Sequence, residues 1–102
     1  MGILKHKFRA KPCEDDGIKF ASQKERKRYR ELKLLQEKGE ILFFLRQTPF
    51  HLPGGVKYVC DYFVFWNDGT VTIEDVKGMK TPQYITKKTI VEATYPITIT
   101  EV

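Results

Sequence analysis

The sequence lacks any apolar run long enough to cross a bilayer. A stretch such as Ile41–Leu45 is strand-length, far short of the ~20 residues a membrane-spanning helix needs. The opening residues MGILKHKFRAK contain no apolar core of the kind a secretion signal carries. Cysteine is scarce: Cys13 and Cys60 stand far apart and make no CxxC pair, which argues against a disulfide framework. With only His6 and His51 beside them, their spacing does not suggest zinc. Low-complexity segments and internal repeats are also missing. A length of 102 residues leaves room for one core and not two. At 41% hydrophobic and 13% aromatic the chain has the means to build that core, which excludes a disordered chain. At 30% charged it is too polar for a membrane protein. The expectation is a single domain with reduced thiols and no membrane partner.

What is present is a lopsided positive charge. The net charge is +5, and residues 1–38 hold 12 Lys and Arg against 6 Asp and Glu, while residues 39–102 hold 6 against 7. A basic front half suits a polyanion such as nucleic acid. Residues 1–19 are basic, then acidic, with Pro12 and Gly17. They read as an irregular arm ahead of a domain spanning 20–102.

The clearest helix is 22–38. Ser22 is its N-cap, Glu25 completes a capping-box spacing, and Gly39 follows as the stop. Tyr29, Leu32 and Leu35 share one face, and Lys24, Lys27 and Arg28 are among the cations on the rest. Residues 40–50 read as a strand buried on both faces and broken at Pro49. LPGG at 52–55 is a turn, and 56–66 and 70–77 are strands joined by Asn67-Asp68-Gly69. A helix over 82–93 begins at Pro82, with Ile85, Ile90 and Val91 as its apolar points. Residues 97–102 alternate as a last strand. The order is α-β-β-β-α-β, an α/β (α+β) domain with a central sheet flanked by helices.

The loop between the middle strands decides the chemistry. A three-residue loop ending in glycine closes Trp66 against Thr70. Counting back places Asp61 directly opposite Asp75, with Lys77 on the same face and Glu74 on the other. Two opposed aspartates destabilise a sheet unless something compensates. Lys77 alone is one answer. A divalent cation such as Mg²⁺, which favours carboxylate oxygens, is a better one. A two-residue loop would break the arrangement.

These residues carry a family resemblance. Asp61, then Asp75-Val76-Lys77 in IEDVKG, with Glu25 on an upstream helix, resemble the PD-(D/E)xK nuclease superfamily. The layout resembles that of the phage endonuclease I family of Holliday-junction-resolving enzymes, which shares the Ser-x-x-Glu helix start, the glycine-ended helix and the two acidic strands in order. The chain from about residue 8 onward is also similar to a family of short phage and prophage proteins with motifs of the type GIKFASxxE, RQxPF and EDVKGxxT. One departure is Cys60, which stands where the superfamily usually has proline.

The resemblance implies a restriction-endonuclease-like core with a mixed sheet and metal-dependent hydrolysis of DNA phosphodiester bonds, with branched DNA such as a Holliday junction favoured. Flap, single-strand or restriction-like cleavage, and a non-catalytic DNA-binding module with a relic site, are the alternatives. Asp61, Asp75, the Val76 carbonyl and Glu25 would hold Mg²⁺, with Mn²⁺ able to substitute, and Lys77 would position the attacking water. Gln47 and Glu31 are accessory candidates. Lys80, Lys87 and Lys88, with Lys24, Lys27 and Arg28, would contact DNA. Two symmetric cuts in a junction imply a homodimer, and the setting would be the cytoplasm of a phage-infected or lysogenic bacterium.

Overall fold

The computed structural model describes residues 12–76 and 80–102. Two short strands, β1 (Cys13–Asp15) and β2 (Ile18–Phe20), precede helix α1 (Gln23–Glu37). Three strands follow, β3 (Ile41–His51), β4 (Lys57–Trp66) and β5 (Val71–Asp75), then helix α2 (Pro82–Thr94) and β6 (Ile99–Glu101). The main sheet has the order β3-β4-β5-β6. Its first three strands are antiparallel, and β6 is parallel to β5. This is the mixed α/β architecture expected, consistent with a restriction-endonuclease-like core.

The irregular-arm reading of residues 1–19 is corrected over its second half. Residues 13–20 form a hairpin whose turn, Asp16-Gly17, has both φ angles positive (51° and 73°), the mark of a tight two-residue turn. Phe20 is buried in the core, and Cys13 and Ile18 pack against it. Residues 1–11 lie outside the described residues.

Helix α1 starts where its cap dictates. The Ser22 hydroxyl accepts the Glu25 N–H at 3.0 Å, an arrangement worth ~1 kcal/mol. Tyr29 and Leu32 are its buried apolar side chains. At its far end Gly39, at φ 78°, turns the chain into β3. The tip of the β4–β5 hairpin is tied to this corner: the Asn67 N–H donates to the Glu40 carbonyl at 3.1 Å, and its side-chain amide donates to the Gly39 carbonyl at 2.8 Å.

The core forms two clusters. Beneath α1 lie Phe20, Tyr29, Leu32, Ile41, Tyr62 and Val64. Beneath α2 lie Tyr58, Cys60, Ile73, Tyr84, Val91 and Ile99, with Leu52. Residues two apart on a strand ordinarily share a face, yet Tyr58 and Cys60 join one cluster while Tyr62 and Val64 join the other. The exchange falls at Asp61, level with Gln47, whose φ is 52°. β4 therefore serves both layers, and Asp61 sits at the crossover.

Three expectations about the elements change. β3 continues through Pro49 to His51, because it is an edge strand where a missing N–H costs little. It is not buried on both faces: Leu42, Phe43 and Leu45 are substantially exposed. In α2 the buried side chains are Tyr84 and Val91, while Ile85 and Ile90 are exposed.

Candidate functional site

Asp61 and Asp75 meet where the β4–β5 ladder gives out. The register pairs Phe65 with Val71, Val64 with Thr72, Phe63 with Ile73 and Tyr62 with Glu74. The Trp66 N–H donates to the Thr70 carbonyl at 2.9 Å, and the Gly69 N–H donates to the Trp66 carbonyl at 3.1 Å. This is the three-residue loop, and Gly69 supplies the positive φ of 89° it needs.

One step further, side chains replace the main-chain bonds. Asp61 Oδ2 accepts the Val76 N–H at 2.7 Å, and Asp75 Oδ1 accepts the Asp61 N–H at 3.3 Å. Each carboxylate thus reaches onto the other strand's backbone. Asp75 is 1% exposed and Asp61 partly buried. Gln47 comes to the same place, its Nε2 at 3.4 Å from Asp61 Oδ1. Among the described residues, both groups that hydrogen-bond the Asp61 carboxylate are therefore neutral donors.

Glu74 points the other way, as the alternation requires. It is 2% exposed and forks with Arg28, which donates through Nε at 2.8 Å and Nη2 at 2.6 Å. Glu74 holds the Arg28 guanidinium above its ordinary pKa, and Glu31, at 3.3 Å, adds to this. Arg28 is thus engaged in a part-buried pair between α1 and β5, with its side chain still 20% exposed. Lys24 and Lys27 remain on the helix surface and line, with Arg28, Glu31, Val76 and Val102, an open cavity of about 170 Å³ beside Asp75's own strand.

Glu25 is not gathered with the two aspartates. It is buried, and its carboxylate lies 3.5 Å from Arg46 Nη2. Its backbone carbonyl accepts the Tyr62 hydroxyl at 2.8 Å. Burial first, then the Glu25 charge, raises the Tyr62 pKa. Among the described residues no three His, Cys, Asp or Glu side chains form a group able to hold a metal. Lys77 lies outside the described residues.

A third carboxylate enters from the parallel neighbour. Glu101 is the register partner of Asp75. It accepts the Tyr84 hydroxyl at 2.8 Å and pairs with Lys80 at 2.8 Å and Lys88 at 3.5 Å. Lys80 foremost, then Tyr84, holds the Glu101 pKa at about 2. Burial, then Glu101 and Asp75, pushes that of Tyr84 up. Two of the lysines expected on DNA are therefore also partners of an acid. Lys87, with Lys57, Gln83 and Tyr84, lines a second cavity of about 330 Å³.

Glu101, Arg46 and Lys57 are the neighbours that sequence reasoning did not single out. The alternation of ITITEV places Glu101 on a strand, but nothing local reveals which strand lies beside it.

The chain is thus a mixed α/β domain whose middle strands bring two aspartates together at the end of their ladder. Over residues 5–100 it matches the family described as "Protein of unknown function (DUF1064)", and it belongs to that family. No curated protein and no solved structure matches the chain.

Proposed function

We propose that this chain is a Mg²⁺-dependent DNA endonuclease that hydrolyses phosphodiester bonds in branched DNA such as Holliday junctions. The observation that carries the reading is the juxtaposition of Asp61 and Asp75. Sheets avoid directly opposed like charges, and among the described residues the hydrogen bonds reaching Asp61 come from neutral groups. Two carboxylates with hard oxygen donors fit a small divalent cation that keeps several waters. Asp61, Asp75 and the Val76 carbonyl are the groups that would hold it, and Mn²⁺ would substitute. When bound, such an ion polarises the phosphoryl oxygen and lowers the pKa of water.

The chain's own residues supply the rest. The Val76 and Gln47 donors fix the Asp61 carboxylate, and the Asp61 N–H fixes that of Asp75. In the motif, Lys77 follows two residues after Asp75, and its role is to orient the attacking water and offset charge developing on the phosphate. Glu25, at the α1 start, holds Arg46 rather than a place beside the aspartates. The backbone path is supported by the two lysine-bearing cavities: Lys24 and Lys27 flank Val76, and Lys57 and Lys87 flank Tyr84. The likeness of the D…DxK motif to PD-(D/E)xK nucleases supports the same reading. Two symmetric cuts in a junction call for two copies of the chain.

The test is cleavage of labelled four-way junction, flap, single-stranded and linear duplex DNA, with and without Mg²⁺. Paired nicks on the junction that vanish in Asp75→Ala, with DNA binding retained, are expected. Cutting that persists in Asp75→Ala, or binding without cutting on every substrate, refutes the assignment. Cleavage confined to flaps or single strands keeps the site and changes the substrate.

A further inference from the structure

Among the described residues the main sheet has two open edges, and they are unlike. β6 is three residues long and ends at the ion-paired Glu101. β3 is 11 residues long, and its first half, Ile41–Leu45, has no charge, proline or glycine. Sheets normally blunt such edges with charge, proline or irregular backbone. On β3 a register shift falls between Ile41 and Phe43, the Gln36 amide donates to the Leu42 carbonyl at 3.3 Å, and the remaining devices begin at Arg46, followed by left-handed Gln47 and Pro49.

An apolar sheet face adjoins this edge. Phe43 pairs with Phe65, which pairs with Val71; Leu45 pairs with Phe63, which pairs with Ile73. The rings of Phe43 and Phe65 stack at 4.4 Å, and those of Phe65 and Phe63 at 5.0 Å. The cluster beneath α2 buries Ile73 to 3% exposure. Beyond it, Leu45 and Val71 are 46% exposed and Phe43 44%, and Leu42, at the register shift on the edge strand itself, is 60% exposed.

We infer that a second copy of this chain covers this face. Ile41–Leu45 of two copies pair antiparallel about a two-fold axis and make one continuous sheet. An open edge needs a strand as its partner, and a two-fold copy presents the same uncharged strand with the same apolar neighbours. Among the described residues, the ladder positions that make up this face, Phe43, Leu45, Phe63, Phe65, Val71 and Ile73, carry no charge, and Arg46, the nearest cation on β3, turns to Glu25. Single-stranded nucleic acid would need cations to follow its backbone.

Area sets the strength. The four exposed side chains amount to about two fully exposed ones, or ~350–400 Å² per copy. That is roughly half the ~800 Å² per partner of a standard interface. Main-chain pairing and the partly exposed Phe63 and Phe65 add to it, and an interface this small makes a dimer in exchange with monomer.

The experiment is analytical ultracentrifugation of the full chain from about 1 μM to about 1 mM. The mass is expected to climb from 12.0 kDa towards twice that. Leu45→Lys should weaken association at least tenfold at an unchanged melting temperature, and Val56→Lys, exposed but off this face, should not. Hydrogen exchange at alternate amides of 41–45 should slow as the dimer fills. A mass of 12.0 kDa at every concentration, a dimer indifferent to Leu45→Lys, or one dissolved equally by Val56→Lys overturns the inference. None of these measurements uses DNA, so their failure is separate from failure of the proposed activity.

Discussion

Removing Arg28 should damage this protein far more than removing its partner. The Glu74 side chain is 3% exposed and that of Arg28 20%, and two short bonds join them. Arg28→Ala leaves a carboxylate buried with its fork of donors gone, and stranding one member of a buried pair costs roughly 3–5 kcal/mol. Glu74→Ala leaves a guanidinium that already touches water and still has Glu31 at 3.3 Å. Its cost should be about 1–2 kcal/mol, nearer the loss of a charged hydrogen bond. Replacing both, as Arg28→Met with Glu74→Leu, should return stability to within about 1 kcal/mol of the parent, because the desolvation cost disappears with the charges. For a domain of this size each kcal/mol moves the melting temperature by about 4–8 °C. Arg28→Ala should therefore fall by more than about 10 °C and the double variant by much less. Urea unfolding followed by circular dichroism and Trp66 fluorescence gives the three free energies. If Glu74→Ala costs as much as Arg28→Ala, or the double variant is no better than Arg28→Ala, the account of this pair is wrong.

Three further outcomes follow from the geometry. The Glu101 carboxyl should titrate near pH 2 in the folded chain. Because that is below its ordinary 4.5, its stabilisation is present above pH 4.5 and lost as pH falls towards 2. An NMR titration in which Lys80→Ala fails to move the midpoint upward would contradict the assignment of its cause. Ser22→Ala should cost ~1 kcal/mol through the lost helix cap, with Ser22→Asp retaining the parent melting temperature; equal losses in both would show that the cap is not responsible. Gln47→Gly should match or exceed the parent in stability, since a side chain at φ 52° costs about 1–2 kcal/mol of backbone strain, while β-branched Gln47→Val should be less stable. Both should cut DNA poorly, having lost the Asp61 contact; a Gln47→Gly variant as active as the parent would remove Gln47 from the site.

Legibility in the sequence followed locality. Ser22 and Gly39 bracket α1 because caps are local chemistry, and Asn67-Asp68-Gly69 fixed the β4–β5 register, and with it the Asp61–Asp75 pairing, because turn type is local too. The hairpin at 13–20 was legible in principle from Asp16-Gly17, but its strands are three residues long and its charges mask the pattern. Pro49 misled because sequence does not say which strand is an edge. The apolar run Ile41–Leu45 misled for the same reason: it looks buried and is half open. Glu101 beside Asp75, and Arg28 beneath Glu74, arise from contacts across the fold that no spacing encodes.

Asn67 has a consequence that reaches beyond the hairpin it caps. Its bonds to Gly39 and Glu40 make the far end of the first helix a gauge for the strand alignment. An insertion at that corner would pull on the loop and be transmitted, rung by rung, to a pair of acids at the opposite end of the ladder. A harmless-looking surface corner is thereby a place where chemistry could be lost without touching any group that performs it.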